Sequence, residues 1–157
     1  MIYWFIGQPG CGKTTLAKAT VEEINNPPPI YLDGDELRSI FTKKVDGNVF
    51  TKEYRIEQTL ILQKFVSLLA NQKHNVVIAT VNPYNDARNE ILKTRNDVRY
   101  IYVHTDTPRI RGEYWVKDYE KPSGVYLNRY IDIDTTKNDL TYNIWEVSMK
   151  LRNYAVT

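Results

Sequence analysis

The sequence GQPGCGKTT fills residues Gly7–Thr15 and matches the pattern G-x-x-x-x-G-K-[ST] in full. A short apolar run, Ile2–Ile6, precedes it, and a segment with helical spacing, Lys13–Ile24, follows it. In such a turn the backbone amides and the helix N-terminus converge on phosphate oxygens. The alternative is a turn that merely joins a strand to a helix, but the complete motif in this setting favours phosphate binding. The predicted nucleotide-binding residues are Gly7, Pro9, Gly10, Cys11, Gly12, Lys13, Thr14 and Thr15.

Two side chains of this stretch have predicted chemical roles. Lys13 is expected to reach the β and γ phosphates of ATP, and the Thr14 hydroxyl is expected to ligate Mg²⁺. Lys13 is therefore a catalytic candidate, and ATP and Mg²⁺ are the predicted cofactors. Cys11 occupies a variable position of the pattern. A redox-active thiol is one interpretation of it, and we favour the other, a thiol without a chemical role.

Strand-like and helix-like segments alternate along the chain. This alternation is typical of a parallel sheet with helices on both faces. We therefore predict an α/β fold, a P-loop three-layer sandwich around a five-stranded parallel sheet, as a single domain over residues 1–157. The predicted strands are Ile2–Ile6, Ile30–Leu32, Val76–Ala79, Val98–Val103 and Tyr130–Ile133. The predicted helices are Lys13–Ile24, Asp35–Phe41, Lys52–Gln72, Asp86–Lys93 and Leu140–Tyr154.

The composition, 42% hydrophobic and 25% charged residues, is ordinary for a globular protein. The single cysteine cannot form an internal disulfide and no signal-peptide pattern precedes the first motif, so we expect a cytoplasmic protein. No apolar run approaches the ~20 residues of a membrane-spanning helix, so no membrane association is expected. The formal net charge is +2, and charges of both signs are mixed along the chain, which gives nucleic-acid binding no support. A homodimer is compatible with the sequence, which does not define the oligomeric state.

The second predicted strand runs into two carboxylates and an arginine. Asp33 and Asp35 follow the strand, and Arg38 comes about one helical turn after Asp35. Because the carboxyl ends of parallel strands lie at one edge of the sheet, these side chains should lie near the phosphate-binding loop. One carboxylate could then accept the proton of an acceptor hydroxyl, the other could hold Mg²⁺, and Arg38 could bind an anionic substrate. The alternative makes Asp35 the N-cap of the next helix and Arg38 a solvated side chain.

At these residues the sequence resembles the adenylylsulfate (APS) kinase family, and the resemblance covers most of the chain. Apart from the phosphate-binding loop, it is carried by Leu32–Arg38 (LDGDELR), Phe50–Gln58 (FTKEYRIEQ), Asn82–Tyr84 (NPY) with Arg88, and Tyr119–Pro122 (YEKP). The aspartate-glycine-aspartate motif with its arginine is the most specific of these. The resemblance implies an ATP-dependent kinase whose acceptor is a small nucleotide.

The resemblance also implies roles for individual residues. Asp33 would be the catalytic carboxylate, and Asp35 would help to place Mg²⁺ and the acceptor. Arg38 and Arg55 would bind the phosphosulfate of the acceptor. Phe50 would stack on its adenine, and the backbone around Pro83 and Tyr84 would line the pocket. Structural alternatives remain open: Phe50 as a core residue, Arg55 paired with Glu22 or Glu57, and Tyr84 as a cover of the sheet edge.

This sequence departs from the family pattern on the acceptor side. The predicted acceptor contacts Gln58 and Asn82 stand where the family usually has asparagine and serine. The family also carries a long basic lid, and here only Asp106–Asp118 is available for it. A lid supplies cations and excludes water from the phosphates. The remaining candidates for that role are Arg109, Arg111 and Lys117, with Tyr114 and Trp115 as a substitute aromatic clamp.

Three functions are therefore compatible with the sequence. The leading one is phosphorylation of APS to 3'-phosphoadenylylsulfate. A kinase acting on a polynucleotide or modified-base hydroxyl is a second, because an open site would admit a polymer. A nucleotide-binding regulatory module without turnover is the third, although a pure binder has no need of acceptor-side carboxylates. A GTPase is disfavoured, since residues Thr136–Asp139 only approximate a guanine-recognition motif.

Overall fold

In the computed structural model, which describes residues 1–41, 51–107 and 115–155, five strands form a parallel sheet. Their order is β2-β3-β1-β4-β5, and Ile6 at the end of β1 lies in register with Thr80 of β3 and Tyr102 of β4. The carboxyl ends of the central strands therefore lie at one edge of the sheet. This confirms the predicted five-stranded parallel sheet. The strands are β1 (Ile2–Ile6), β2 (Ile30–Asp33), β3 (Val76–Thr80), β4 (Val98–His104) and β5 (Tyr130–Asp134).

Five α-helices connect or follow these strands in the described residues. The predicted fourth helix differs most from expectation, because α4 is short and continues as a 3₁₀ turn, Ile91–Lys93. That turn buries Ile91 and Leu92 side by side against the core. None of the helices in the described ranges combines the length and apolar content needed to cross a bilayer. The α-helices are α1 (Lys13–Glu23), α2 (Gly34–Phe41), α3 (Lys52–Asn71), α4 (Asn85–Glu90) and α5 (Leu140–Ala155), and a second 3₁₀ turn covers Leu127–Arg129.

Helices cover both faces of the sheet, as the predicted three-layer arrangement requires. Successive strand residues point to opposite faces, so Trp4 and Phe5 of β1 belong to different cores. Trp4 packs in the core that includes Leu62 and Val66 of α3, together with residues of α2 and the first 3₁₀ turn. Phe5 packs in the core that includes Leu16 of α1 and Val147 of α5. The two cores pack against opposite faces of the sheet and fix the carboxyl ends of its strands, where the candidate site lies.

Candidate active site

The phosphate-binding loop runs from the end of β1 to the start of α1 at the carboxyl edge of the sheet. Gly7 must be glycine, because an added Cβ would lie 2.1 Å from the carbonyl oxygen of Val103 in β4. Gly12 occupies the N-cap position of α1 with φ 100° and provides no side-chain cap. The first amides of α1 therefore have no capping side chain, which suits them to bind an anion.

Lys13 lies within the loop that it is predicted to serve. Its half-buried ammonium donates to the carbonyl oxygen of Gln8 at 2.9 Å. Burial lowers the pKa of Lys13, and the charges of Arg38 and Asp33 also act on this pKa. The charges of Lys13, Arg38 and Asp33 therefore act on one another at the same edge of the sheet. Thr14, the predicted Mg²⁺ ligand, is exposed at the start of α1.

Cys11 points into the core rather than into the site. Only 2% of the residue is exposed, and burial raises the pKa of its thiol. Its carbonyl oxygen accepts a hydrogen bond from the Thr135 hydroxyl at 3.0 Å, which ties the loop to the residue after β5. A buried thiol with a raised pKa has little thiolate and little reactivity. The geometry thus favours the interpretation of Cys11 as a packing residue whose backbone belongs to the loop.

Asp33, not Asp35, caps the second helix. Its Oδ1 accepts the backbone amides of Asp35 at 2.8 Å and Glu36 at 3.4 Å. This corrects the alternative in which Asp35 is the N-cap. The reason is that α2 starts at Gly34, directly after β2, so Asp33 rather than Asp35 precedes the first turn of the helix. Asp35 is exposed and its carboxylate forms an ion pair with Arg38.

The predicted acceptor residues of α3 and of the loop after β3 lie beside this pair. Burial lowers the pKa of Arg55, and the charges of Tyr84, Arg38 and Asp118 act on it as well. Tyr84 is 4% exposed, and its hydroxyl donates to both carboxylate oxygens of Asp118 at 3.1 Å. Burial, followed by the hydrogen bond to Asp118, raises the pKa of Tyr84 to about 12. Sequence reasoning missed Asp118, because no motif includes it.

Asn82, Pro83 and Gln58 are less open to a ligand than predicted. Asn82 and Pro83 are buried, and the Asn82 side chain accepts from the Thr59 hydroxyl at 3.1 Å. Asn82 has a positive φ of 44°, a conformation that asparagine tolerates better than most residues. Gln58 is half-buried on α3. Their predicted contacts with the acceptor therefore stay predictions, and Phe50 lies outside the described residues.

Arg88 explains why the NPY and YEKP motifs occur together. This fully buried arginine donates to the backbone carbonyl oxygens of Asn82 at 2.8 Å and Glu120 at 2.7 Å. Tyr119 and Glu120 add hydrogen bonds to the Val81 and Pro83 carbonyl oxygens, at 3.0 and 2.8 Å. Buried polar groups need such partners to offset the loss of water. The two motifs therefore fix the backbone that leads from β3 to Tyr84.

A short segment links the acceptor side back to the phosphate-binding loop. The Gln8 side chain donates to the Val116 carbonyl oxygen at 2.8 Å and accepts from the Val116 amide at 2.9 Å. The Trp115 indole donates to the Pro9 carbonyl oxygen at 3.0 Å. Trp115 therefore lies against the loop, as the predicted aromatic clamp would. Lys117 is exposed, and the other lid candidates, Arg109, Arg111 and Tyr114, lie outside the described residues.

A cavity of about 240 Å³ lies beside the phosphate-binding loop. The loop residues that line it are Gly10–Gly12 and Thr15, and Thr135 and Asn143 line the opposite side. A larger groove of about 880 Å³ lies between α4 and residues 120–126, but no residue of the phosphate-binding loop lines it. The smaller cavity is therefore the one that can extend the phosphate site toward the rest of a nucleotide.

The phosphate-binding loop after β1 and the carboxylates of Asp33 and Asp35, where β2 meets α2, lie at the same edge of the sheet, an arrangement that defines the P-loop phosphotransferase class. The family of the chain follows from the sequence. Residues 1–126 match the family model described as adenylylsulphate kinase, which is well over half of the 157 residues. The chain therefore belongs to the adenylylsulphate kinase family.

Two relatives show what this chain resembles in sequence. The cytidine diphosphoramidate kinase of Campylobacter jejuni is 29% identical over 149 aligned positions, covering 90% of this chain and 85% of that protein. The adenylyl-sulfate kinase of Myxococcus xanthus is 27% identical over 174 positions, covering 96% and 90%. With the family match, these relatives make this chain an ATP-dependent phosphotransferase that acts on a hydroxyl of a nucleotide-type acceptor.

Solved structures agree with the fold. The APS kinase of Mycobacterium tuberculosis, in complex with AMPPNP and APS, has a TM-score of 0.75 at 20% identity and covers 96% of each chain. The shikimate kinase of Aquifex aeolicus has a TM-score of 0.60 at 14% identity and covers 99% of each chain. At these identities the likeness shows the fold alone, and it confirms the predicted α/β P-loop kinase architecture.

Proposed function

We propose that this kinase phosphorylates a nucleotide whose phosphate carries a second, singly charged tetrahedral group, held by Arg38 and Arg55. The observation that supports this is that Asp33, Asp35 and Arg38 lie together where β2 meets α2, joined by the Asp33 cap and the Arg38–Asp35 ion pair. The charge of Arg38 acts from there on both Lys13 and Arg55. Two guanidinium groups suit an anionic acceptor, because each can donate several hydrogen bonds to its oxygens. The donor phosphates and the acceptor anion would then meet at one edge of the sheet.

Asp33 is the proposed general base. Both capping bonds of its carboxylate go to Oδ1, so Oδ2 can accept a hydrogen bond from the acceptor hydroxyl. In the reaction the hydroxyl oxygen forms a bond to the γ-phosphorus, and the bond from that phosphorus to the β–γ bridging oxygen breaks. The hydroxyl proton passes to Asp33, and ADP leaves. Lys13 would move from the Gln8 carbonyl oxygen to the phosphates and hold them during transfer.

The residues near the loop fit Mg²⁺. Mg²⁺ takes oxygen ligands and commonly binds through one or two protein oxygens together with phosphates and water. The exposed Thr14 hydroxyl and the exposed Asp35 carboxylate are oxygen donors of this kind. The described ranges contain no group of three acidic, histidine or cysteine side chains that would form an all-protein cage. We propose Thr14 and Asp35 as its holders, and the bound metal would neutralise charge on the triphosphate.

Two acceptors meet the description. APS is the acceptor named by the family model and by the Myxococcus relative. Cytidine diphosphoramidate is favoured by chain length. The Myxococcus alignment has 174 positions and includes 96% of this chain, which is about 151 of its 157 residues. About 23 positions of that alignment therefore have no residue of this chain. The Campylobacter alignment has 149 positions and includes 90% of this chain, which is about 141 residues, so only about eight positions have no residue of this chain. This chain therefore has nearly the length of the cytidine diphosphoramidate kinase over the aligned region.

The test is an acceptor panel in a coupled assay for ADP release. The panel contains APS, cytidine diphosphoramidate and an oligonucleotide with a free 5' hydroxyl, each with ATP and Mg²⁺. We expect turnover with at least one of the two small nucleotides. Turnover with the oligonucleotide alone, falling steeply with salt, would support the polymer alternative instead. ATP binding without turnover on any acceptor would support the regulatory module.

A further inference from the structure

The segment Trp115–Glu120, here called the strap, crosses the site between two anchored ends. At its start, Val116 is bonded twice to the Gln8 side chain. At its end, Tyr119 and Glu120 are bonded to the carbonyl oxygens of the loop after β3. Asp118 lies between these anchors, so its backbone position is fixed from both sides.

The carboxylate of Asp118 lies among the groups proposed to hold the acceptor. Tyr84, which is 4% exposed, donates its hydroxyl to both carboxylate oxygens at 3.1 Å. The Lys52 ammonium lies 5.0 Å from the centre of the Tyr84 ring. The charge of Asp118 also acts on Arg55. Asp118 is exposed, so its carboxylate faces solvent on the side of the site that Arg55 and Tyr84 occupy, where a purely anion-binding site would have no need of an anion.

The bond to Tyr84 leaves Asp118 able to accept more hydrogen bonds. An ionised carboxylate has about four lone-pair positions, and one phenol proton occupies only part of this capacity. Because the pKa of Tyr84 is raised to about 12, Tyr84 keeps its proton at neutral pH and acts as the donor. Asp118 can therefore act only as an acceptor while it is ionised, and it would repel a ligand that presents oxygen atoms alone.

We infer that Asp118 is a specificity-determining residue that selects an acceptor whose terminal group carries an N–H donor, such as a phosphoramidate, over one that ends in a sulfate. This rests on the proposed function. The two terminal groups have the same single negative charge and the same tetrahedral shape. They differ because the phosphoramidate places an NH₂ where the sulfate has an oxygen. An NH₂ can donate to Asp118, whereas an oxygen at the same position faces the carboxylate without a proton between them.

The experiment compares two acceptors that share one base. They are APS and adenosine diphosphoramidate, in which a phosphoramidate replaces the sulfate. Dissociation constants are measured by calorimetry with a non-hydrolysable ATP analogue present, and turnover is measured beside them. We expect the wild-type protein to bind the diphosphoramidate about 10- to 100-fold more tightly, the range of one charge-assisted hydrogen bond. Asp118→Asn, which can turn its amide toward a sulfate oxygen, should remove most of this preference.

Two further variants separate recognition from structure. Tyr84→Phe removes the hydroxyl but keeps the carboxylate, so it should keep the preference for the diphosphoramidate. Asp86→Asn, an exposed aspartate on α4, should leave the ratio of the two dissociation constants unchanged. Equal affinity of the wild-type protein for both acceptors, or an unchanged ratio in Asp118→Asn, would overturn the inference. Absence of turnover with APS, adenosine diphosphoramidate and cytidine diphosphoramidate would instead contradict the proposed function, while the affinity ratio would still decide the role of Asp118.

Discussion

The phosphate-binding loop, Gly7–Thr15, is one continuous stretch whose backbone is predicted to bind the phosphates, whereas the proposed acceptor side combines side chains far apart in sequence. Asp33 and Arg38 come from the β2–α2 unit, Arg55 from α3, and Tyr84 from the loop after β3. Asp118 on the strap is bonded to Tyr84, and we infer that it belongs to the same group. A backbone cradle recognises any triphosphate, but a set of side chains can change one member at a time. The donor is therefore expected to be constant and the acceptor variable within this fold.

The largest expected effect on activity comes from removing the ammonium of Lys13 on the donor side. Lys13→Met keeps most of the side-chain length but removes the ammonium, and we expect kcat/KM to fall by about 10³-fold, as for the loss of a group that stabilises transition-state charge. Lys18→Met is the matched control, because Lys18 is exposed on the same helix. The measurement is steady-state ADP release with saturating acceptor. Comparable activity in Lys13→Met and Lys18→Met would show that Lys13 does not contact the phosphates.

The next effect tests the junction between the two sides. Asp33→Asn keeps an oxygen that can accept the capping amides of α2 but removes the proposed base, so we expect kcat to fall by about 10²-fold. ATP affinity and the thermal midpoint should stay near those of the wild-type protein. Asp33→Ala removes the cap as well and should cost about 1 kcal/mol of unfolding free energy in addition. If kcat were unchanged in Asp33→Asn, Asp33 would be a capping residue alone.

A smaller effect is expected when a donor-side residue that anchors the strap is changed and binding of the acceptor is measured. Gln8→Met removes both bonds to Val116 but leaves the backbone carbonyl that accepts from Lys13. Since each such bond is worth about 1 kcal/mol, we expect the KM of the acceptor to rise about tenfold although Gln8 lies on the donor side. Gln72→Met, exposed at the end of α3, is the control. A rise confined to the KM of ATP would mean that the strap does not couple the two sides.

The same contrast explains what the sequence could predict. The strands and helices follow from local periodicity, and the loop follows from a contiguous motif whose backbone geometry depends on nearby glycines. Asp33, Arg38, Arg55 and Tyr84 could be proposed because each belongs to a family motif. That the charges of Arg38 and Tyr84 act on Arg55 could not be read from spacing, since it depends on the strand order and on how α3 packs.

Three features could not be found from the sequence. The N-cap role of Asp33 depends on α2 starting directly at Gly34, one residue earlier than the helical pattern predicts. The pairing of Gln8 with Val116 joins residues 108 positions apart. Asp118 lies in no motif, and a role for it can be proposed only from the hydrogen bond that Tyr84 donates to it. The last two features depend on contacts between residues far apart in sequence, whereas the cap depends on the residue at which α2 begins.

The smallest expected effect concerns Cys11, which belongs to the loop by its backbone and to the core by its side chain. Cys11→Ala keeps the backbone amide and the carbonyl that binds Thr135, so kcat/KM should stay within about twofold of the wild-type value. Loss of the buried sulfur should lower the unfolding free energy by about 1 kcal/mol, seen as a lower urea midpoint. The raised pKa of the thiol further predicts that iodoacetamide does not label the native protein at neutral pH. Rapid labelling that ATP prevents would show instead that the side chain reaches the phosphate site, and the donor side would then not rest on backbone and Lys13 alone.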